Sequence, residues 1–174
     1  MTILTVPRIY LKGKTAYKKQ LGTLKPMGNA IKIAKRLRER LGIELIHIVD
    51  LDALAGKKTN YDIYDHLTFI MYVQVEVKPE PKMIKPLLAV GARAVVDIPT
   101  KLDLSQFKEH KRLLVGKITP RSKSSLDEVY DVYLDGESEA KVRELIKKKK
   151  RVFVNKDQNK KNTKVFGRIG PPEL

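Results

Sequence analysis

Cysteine and tryptophan are absent from this 174-residue chain, histidine occurs three times, and acidic residues are outnumbered by basic ones, 20 to 36. The lack of cysteine excludes disulfides, a thiol nucleophile and thiolate zinc sites. The histidines are scattered and make no His-x-x-x-His pair, so no dedicated metal site is expected, and no motif implies a cofactor. No stretch approaches the roughly 20 uncharged apolar residues of a membrane span. The opening Met1-Thr2-Ile3-Leu4-Thr5-Val6 lacks the basic start and cleavage site of a secretory signal, so a cytoplasmic protein with no membrane partner is expected.

What is present is enough for one globular domain spanning residues 1–174, since 42% of the chain is apolar. The formal charge of +16 attracts polyanions and phosphorylated metabolites at long range, although net charge bears on association rather than fold. The 32% of charged residues, with lysine and isoleucine abundant, is a balance expected of proteins that withstand heat.

Along the chain, Thr2 to Leu11 reads as a strand, followed by a polar loop through Gly13, Gly22 and Gly28. Asn29 is placed to cap a helix over Ala30 to Leu41, in which Ile33, Leu37 and Leu41 recur at helical spacing before the stop at Gly42. Ile43 to Val49 is a nearly continuous apolar run of the kind buried on both faces in parallel arrangements. Helices near Tyr61–Leu67 and Met83–Val90 then alternate with strands at Phe69–Val75 and Ala94–Ile98. After Pro99 come a weak helix near Leu104–His110, a strand at Arg112–Ile118, and a polar stretch, Thr119–Ser125, that holds no full helix. Strands at Val129–Leu134, Arg151–Asn155 and Val165–Ile169, with a helix over Glu137–Lys150, complete the chain. The fold class expected is α/β: a shortened or degenerate (β/α) TIM-type barrel of seven or eight strands, with some helices replaced by loops. A full barrel takes about 250 residues, so connections must be trimmed. An open sheet obeys the same handedness rule and remains an alternative.

The segment His47-Ile48-Val49-Asp50-Leu51-Asp52-Ala53-Leu54-Ala55-Gly56-Lys57-Lys58-Thr59-Asn60 is the most specific motif, flanked by Pro7-Arg8-Ile9-Tyr10-Leu11-Lys12, Val73-Gln74-Val75 and Leu88-Ala89-Val90-Gly91-Ala92. In turn they resemble the second strand and its loop, the first strand, the third strand and the helix end before the fourth strand of the phosphoribosylformimino-aminoimidazole-carboxamide-ribotide isomerase family of histidine biosynthesis. That resemblance implies a barrel and a phosphosugar ligand at its C-terminal face. The family's aspartate near the end of the first strand, its general acid or base, is replaced here by Tyr10, a phenol of ordinary pKa about 10. Its second aspartate falls near Lys117 or Ile118. The glycine-rich turn after the third strand is Glu76-Val77-Lys78-Pro79-Glu80-Pro81, and the Gly-Thr pair after the fourth is Ile98-Pro99, followed by Thr100 and Lys101. Prolines donate no hydrogen bond to a phosphate and acids repel it.

Asp50 and Asp52, one residue apart at a strand's carboxyl end, are the candidate catalytic pair; alternatively, one caps the following loop and the other meets a lysine. Candidate ligand or phosphate-binding residues are Lys12, Asn60, Thr100, Lys101, Lys117, Thr119 and Arg121. Asn60 suits a helix cap equally well, Lys12 suits solvated surface, and Asp97 beside the fourth strand end suits loop chemistry. His47, inside an apolar strand, reads as a hydrogen-bonded core histidine, and Asp135-Gly136 as a turn. Lys147-Lys148-Lys149-Lys150-Arg151, with Lys156, Lys160, Lys161 and Lys164, concentrates positive charge late in the chain, accompanied by Phe153 and Phe166 but no stacking platform. The function expected is binding of a phosphorylated small molecule by a barrel whose isomerase catalysis is altered or lost. An active phosphosugar isomerase using Asp50 or Asp52, and a basic nucleic-acid or protein-binding module, are the alternatives. An incomplete barrel would expose strand edges and favour a homodimer.

Overall fold

In the computed structural model, which describes residues 2–174, the chain opens with β1 (Leu4–Lys12), an antiparallel hairpin of β2 (Thr15–Gln20) and β3 (Thr23–Asn29), and helix α1 (Ala30–Leu41). Then follow β4 (Leu45–Asp50), the short α2 (Leu51–Leu54), α3 (Tyr61–Leu67), β5 (Tyr72–Glu76), α4 (Pro81–Ala89) and β6 (Arg93–Asp97). A 3₁₀ segment over Leu104–Leu113 leads to β7 (Leu114–Ile118), and β8 (Asp131–Leu134), α5 (Glu139–Lys147), β9 (Arg151–Asn155) and β10 (Gly167–Gly170) complete the fold.

β1 and β4 to β10 form a closed barrel of eight parallel strands, sealed where Leu4–Pro7 of β1 pair with Gly167–Gly170 of β10. Closure decides between barrel and open sheet. It also removes the open barrel edge on which the expectation of a homodimer rested, leaving the outer hairpin strand β3 with a free edge.

Local chemistry accounts for the boundaries. Asn29 caps α1 by accepting from the backbone N–H groups of Ile31 and Lys32, and Gly42 ends the helix in the left-handed conformation, φ 64°. Ala30, Ile33, Ala34 and Leu37 form its buried stripe. Helices bridge the first three barrel crossovers and the sixth, the 3₁₀ segment bridges the fourth, and the fifth and seventh are loops. In the seventh, Arg168 donates to the carbonyls of Gln158, Asn159 and Asn162, replacing a helix's internal hydrogen bonds with side-chain ones.

The segment from Gly13 to Gly28 corrects the sequence expectation of a loop. It is a hairpin because Leu21 and Gly22 take positive φ, 51° and 78°, at the turn, and β2 pairs with Tyr10–Lys12. It packs outside the barrel, so its strands are largely exposed and carry no apolar alternation to reveal them.

Strand alternation sorts the interior from the helix layer. Ile9, Leu11, Ile46 and Ile48 face outward into the larger core, whereas Val6, Leu45, Val95, Val115, Phe153 and Ile169 fill the barrel. A Cβ on Gly167 would lie 2.9 Å from the Phe153 ring, so glycine makes room for that plug. Polar side chains occupy the barrel's two ends, above and below it. Among the described residues no helix is long and apolar enough to cross a membrane.

Candidate functional site at the C-terminal mouth of the barrel

Because β1, β4, β5, β7, β8 and β9 run parallel, their inward positions near the carboxyl ends converge. The result is a connected polar layer. Gln74 donates from Nε2 to Nδ1 of His47 at 2.9 Å, and the opposite imidazole nitrogen, Nε2, donates to Glu76 Oε2 at 2.7 Å. Lys117 Nζ donates to the other Glu76 oxygen at 2.8 Å. Beside this chain, Arg8 Nη2 donates to the Tyr133 hydroxyl at 2.6 Å and to Asn155 Oδ1 at 2.7 Å. Asn155 in turn donates to Asp135 at 2.8 Å. The His47 and Tyr133 rings meet edge-on with centroids 5.4 Å apart, and Lys117 lies 5.6 Å from the Tyr133 centroid, joining the two halves.

Burial and neighbouring charges shift the titration of this layer. Burial works to raise the Glu76 carboxyl, but the hydrogen bonds and charges of His47 and Lys117 outweigh it and hold the group at about 2. Burial likewise opposes the Lys117 ammonium, and the Glu76 bond and charge overcome it, so its pKa rises. His47 goes the other way: burial lowers it, the charges of Arg8 and Lys117 add to that effect, and Glu76 only partly offsets them. Burial raises the Tyr133 phenol. An efficient general acid or base titrates near the working pH. Here the shifts favour the carboxylate, the ammonium, the neutral imidazole and the neutral phenol.

Of the residues singled out from sequence, Lys117 lies inside this layer, and His47 joins it as a fully hydrogen-bonded buried imidazole. Asp50 lies on the other side of β4, sharing the outward face of Ile46 and Ile48. It is fully buried, caps α2 through the Ala53 N–H, and accepts from the Tyr64 hydroxyl at 2.5 Å. Asp52 stands in α2 rather than on a continuing strand; it accepts from the Gly13 N–H at 2.6 Å. That bond and the Asn60 amide keep its carboxyl below the usual range. Asn60 makes no side-chain cap bond to α3; its amide instead bridges Asp50 and Asp52 at 3.2 and 3.0 Å. The loop geometry thus corrects the capping expectation, since two carboxylates outcompete the helix for that side chain.

Lys12, Lys101, Thr119 and Arg121 are exposed, and the Thr100 hydroxyl accepts from the Leu102 N–H in a local turn. They do not converge with Lys117. Sequence reasoning passed over Arg8, Gln74, Glu76, Tyr133 and Asn155. Their signal was present as polar side chains at inward alternate positions of strands that are otherwise apolar.

A cavity of about 220 Å³ opens at this mouth, lined by Arg8, Tyr10, Lys19 and Pro171. Lys19, from the hairpin, stands 5.8 Å from the Tyr10 ring centroid. Neither Arg8 nor Lys19 has a carboxylate partner among the described residues.

No family model matches the sequence. Over 117 residues the chain is 32% identical to an uncharacterised protein of Methanocaldococcus jannaschii, covering 60% of this chain and 51% of that protein. The chain thus spans about half the length of the curated relative it matches. Neither comparison names the histidine-pathway isomerases; what stands is a TIM-type barrel with an uncharacterised archaeal relative.

Proposed function

We propose that the protein binds a small phosphorylated metabolite at the C-terminal mouth of its barrel, as a divergent relative of the histidine-pathway isomerases that has lost their turnover chemistry. The observation that carries this reading is the cavity in which Arg8 and Lys19 meet without a carboxylate to neutralise them. Two positive charges match a phosphate dianion. The Nη2 of Arg8 is engaged by Tyr133 and Asn155, which orients the guanidinium and leaves its Nε and Nη1 N–H groups as separate donors for an anion. Lys19 adds a point charge from the hairpin. Loss of turnover is supported by the tyrosine at position 10, where the resembling family has its aspartate, and by the pairing of Glu76 with Lys117 and His47. The competing idea of an active isomerase driven by Asp50 draws little support, because that carboxylate faces the helix layer with both oxygens engaged.

The test is thermal unfolding against sugar phosphates, including the histidine-pathway isomerase substrate, with the unphosphorylated sugars and inorganic phosphate alongside. At a ligand concentration one hundred times Kd, stabilisation of about 2.7 kcal/mol is expected for phosphorylated sugars. It should vanish in Lys19→Glu, whose side chain is exposed, and no isomerised product should accumulate. Equal stabilisation by unphosphorylated sugars, or a response indifferent to Lys19→Glu, would overturn the reading, and measurable isomerisation would restore the enzyme.

A further inference from the structure

At the opposite, N-terminal end of the barrel lies a larger open cavity of about 530 Å³. Its floor is apolar, with Leu45 and Leu113, its walls include the Tyr72 and Phe166 rings, and three arginines reach it, Arg93, Arg112 and Arg151. The one acid lining it is Glu44. Behind the wall, the fully buried Asp131 is gripped by Arg151 through two bonds of 2.7 and 2.8 Å and is contacted from the other side by Arg93. One carboxylate therefore faces two guanidiniums. Arg93 is itself 8% exposed, and its Nε is buried without a hydrogen-bond partner. Burial and the Arg151 charge push Arg93 down to about 10, still protonated at neutral pH.

This end also gathers exposed aromatic rings and further cations. Arg151 lies between Phe166 and Tyr130, with its guanidinium 4.1 and 5.0 Å from their centroids. Arg112, 6.0 Å from Tyr130, also lines an adjoining cavity of about 360 Å³ with Lys108, Lys111 and one acid, Glu109. Arg112 lines both cavities. The lysine run that ends α5 arrives here too, since Lys150 donates to the Val129 carbonyl at 2.6 Å and feels the charge of Lys111. Tyr72 is 73% exposed and Phe69, just before it, is 86% exposed.

We propose that these two neighbouring cavities bind a nucleotide: the base enters the larger one against Tyr72 and Phe166, and the phosphate lies on Arg112 toward Lys108 and Lys111. Apolar walls bearing aromatic rings recognise a planar base irrespective of its identity, and cation-lined grooves track phosphates. The larger cavity falls within the roughly 300–1,000 Å³ range of small-ligand sites. A second copy of the chain is a poorer occupant, because a two-fold contact on this face sets the same cluster of cations against itself. Free nucleotides and the ends of single-stranded nucleic acid share this chemistry.

The experiment titrates the full chain with AMP, adenosine, inorganic phosphate and a 5′-phosphorylated oligouridylate, for wild type, Arg112→Glu, Tyr72→Ala and, at the other mouth, Lys19→Glu. All three substituted side chains are exposed, so folding is retained. AMP or the oligonucleotide should bind more tightly than adenosine or phosphate alone, with about tenfold or greater loss in Arg112→Glu and Tyr72→Ala and no loss in Lys19→Glu. Binding of AMP assigns the site to free nucleotides, and binding of the oligonucleotide alone assigns it to a strand end. Failure of both probes to bind, binding indifferent to Arg112→Glu and Tyr72→Ala, or a concentration-dependent dimer that Tyr72→Ala dissolves would each overturn the proposal. Because Lys19→Glu acts only on the phosphometabolite site, the two proposals fail separately.

Discussion

At the C-terminal mouth one carboxylate, Glu76, is matched by one ammonium, Lys117, with a neutral imidazole completing its hydrogen bonds; at the N-terminal mouth one carboxylate, Asp131, is shared by two guanidiniums. The first arrangement is locally balanced, and its free positive charge lies further out, on Arg8 and Lys19. The second keeps its excess charge at the barrel wall, flanked by aromatic rings. In barrel enzymes the C-terminal face carries function and the N-terminal face stability. Here the N-terminal face has the larger cavity and the more concentrated charge, so position in the fold does not by itself rank the two ends.

The largest effect expected is that of Asp131→Asn, which leaves the buried Arg93 facing the half-buried Arg151 with no charged partner between them. Unfolding in urea should show a loss of about 3–5 kcal/mol with unchanged slope. A loss below about 1 kcal/mol would mean that the arginines do not depend on Asp131, and the contrast between the mouths would collapse. Next comes Glu76, whose side chain is 16% exposed. Its carboxyl falls from 4.5 to about 2 on folding, so the unfolded chain takes up the proton first as pH drops through that window. The stability contribution, present above 4.5 and lost toward 2, is of the order of 3 kcal/mol. His47, lowered from 6.5, adds an earlier decline as pH passes below 6.5, because the unfolded chain binds that proton too. Glu76→Gln should cost about 2–3 kcal/mol at neutral pH and shrink the acid-side decline between 4.5 and 2, Asp52 keeping its own share, as read from unfolding midpoints across pH. Outside the barrel wall, Asp50→Asn weakens the α2 cap and the Tyr64 bond and should cost about 2 kcal/mol in the same assay, with no change in phosphometabolite affinity. Retained affinity there would sharpen the division between wall and mouth. Lys19→Ala should change stability by less than about 0.5 kcal/mol while lowering phosphometabolite affinity in titration calorimetry.

Much of the framework was legible. The spans of α1, α3 and β9 follow from periodicity and punctuation at Asn29, Gly42 and Asn155, and the helix-free stretch after Ile118 follows from its polar composition. The hairpin was not legible, because strands that pack outside a core need no apolar alternation. The site was legible only in part. Lys117 stood out as a cation at a strand end, whereas Glu76 read as part of a proline-rich turn and Arg8 as part of a family motif.

The sequence by itself determined the order and type of most elements and the strand residues that alternate, since these depend on contacts within a few residues of chain. Tertiary structure decided closure, and with it which alternate face became the interior. Asp50 and Glu76 both end barrel strands, yet one faces the helices and the other the mouth, because inward and outward positions are set by pairing with neighbouring strands. It likewise brought Arg93, Asp131 and Arg151 together from three different strands, a juxtaposition no local pattern encodes.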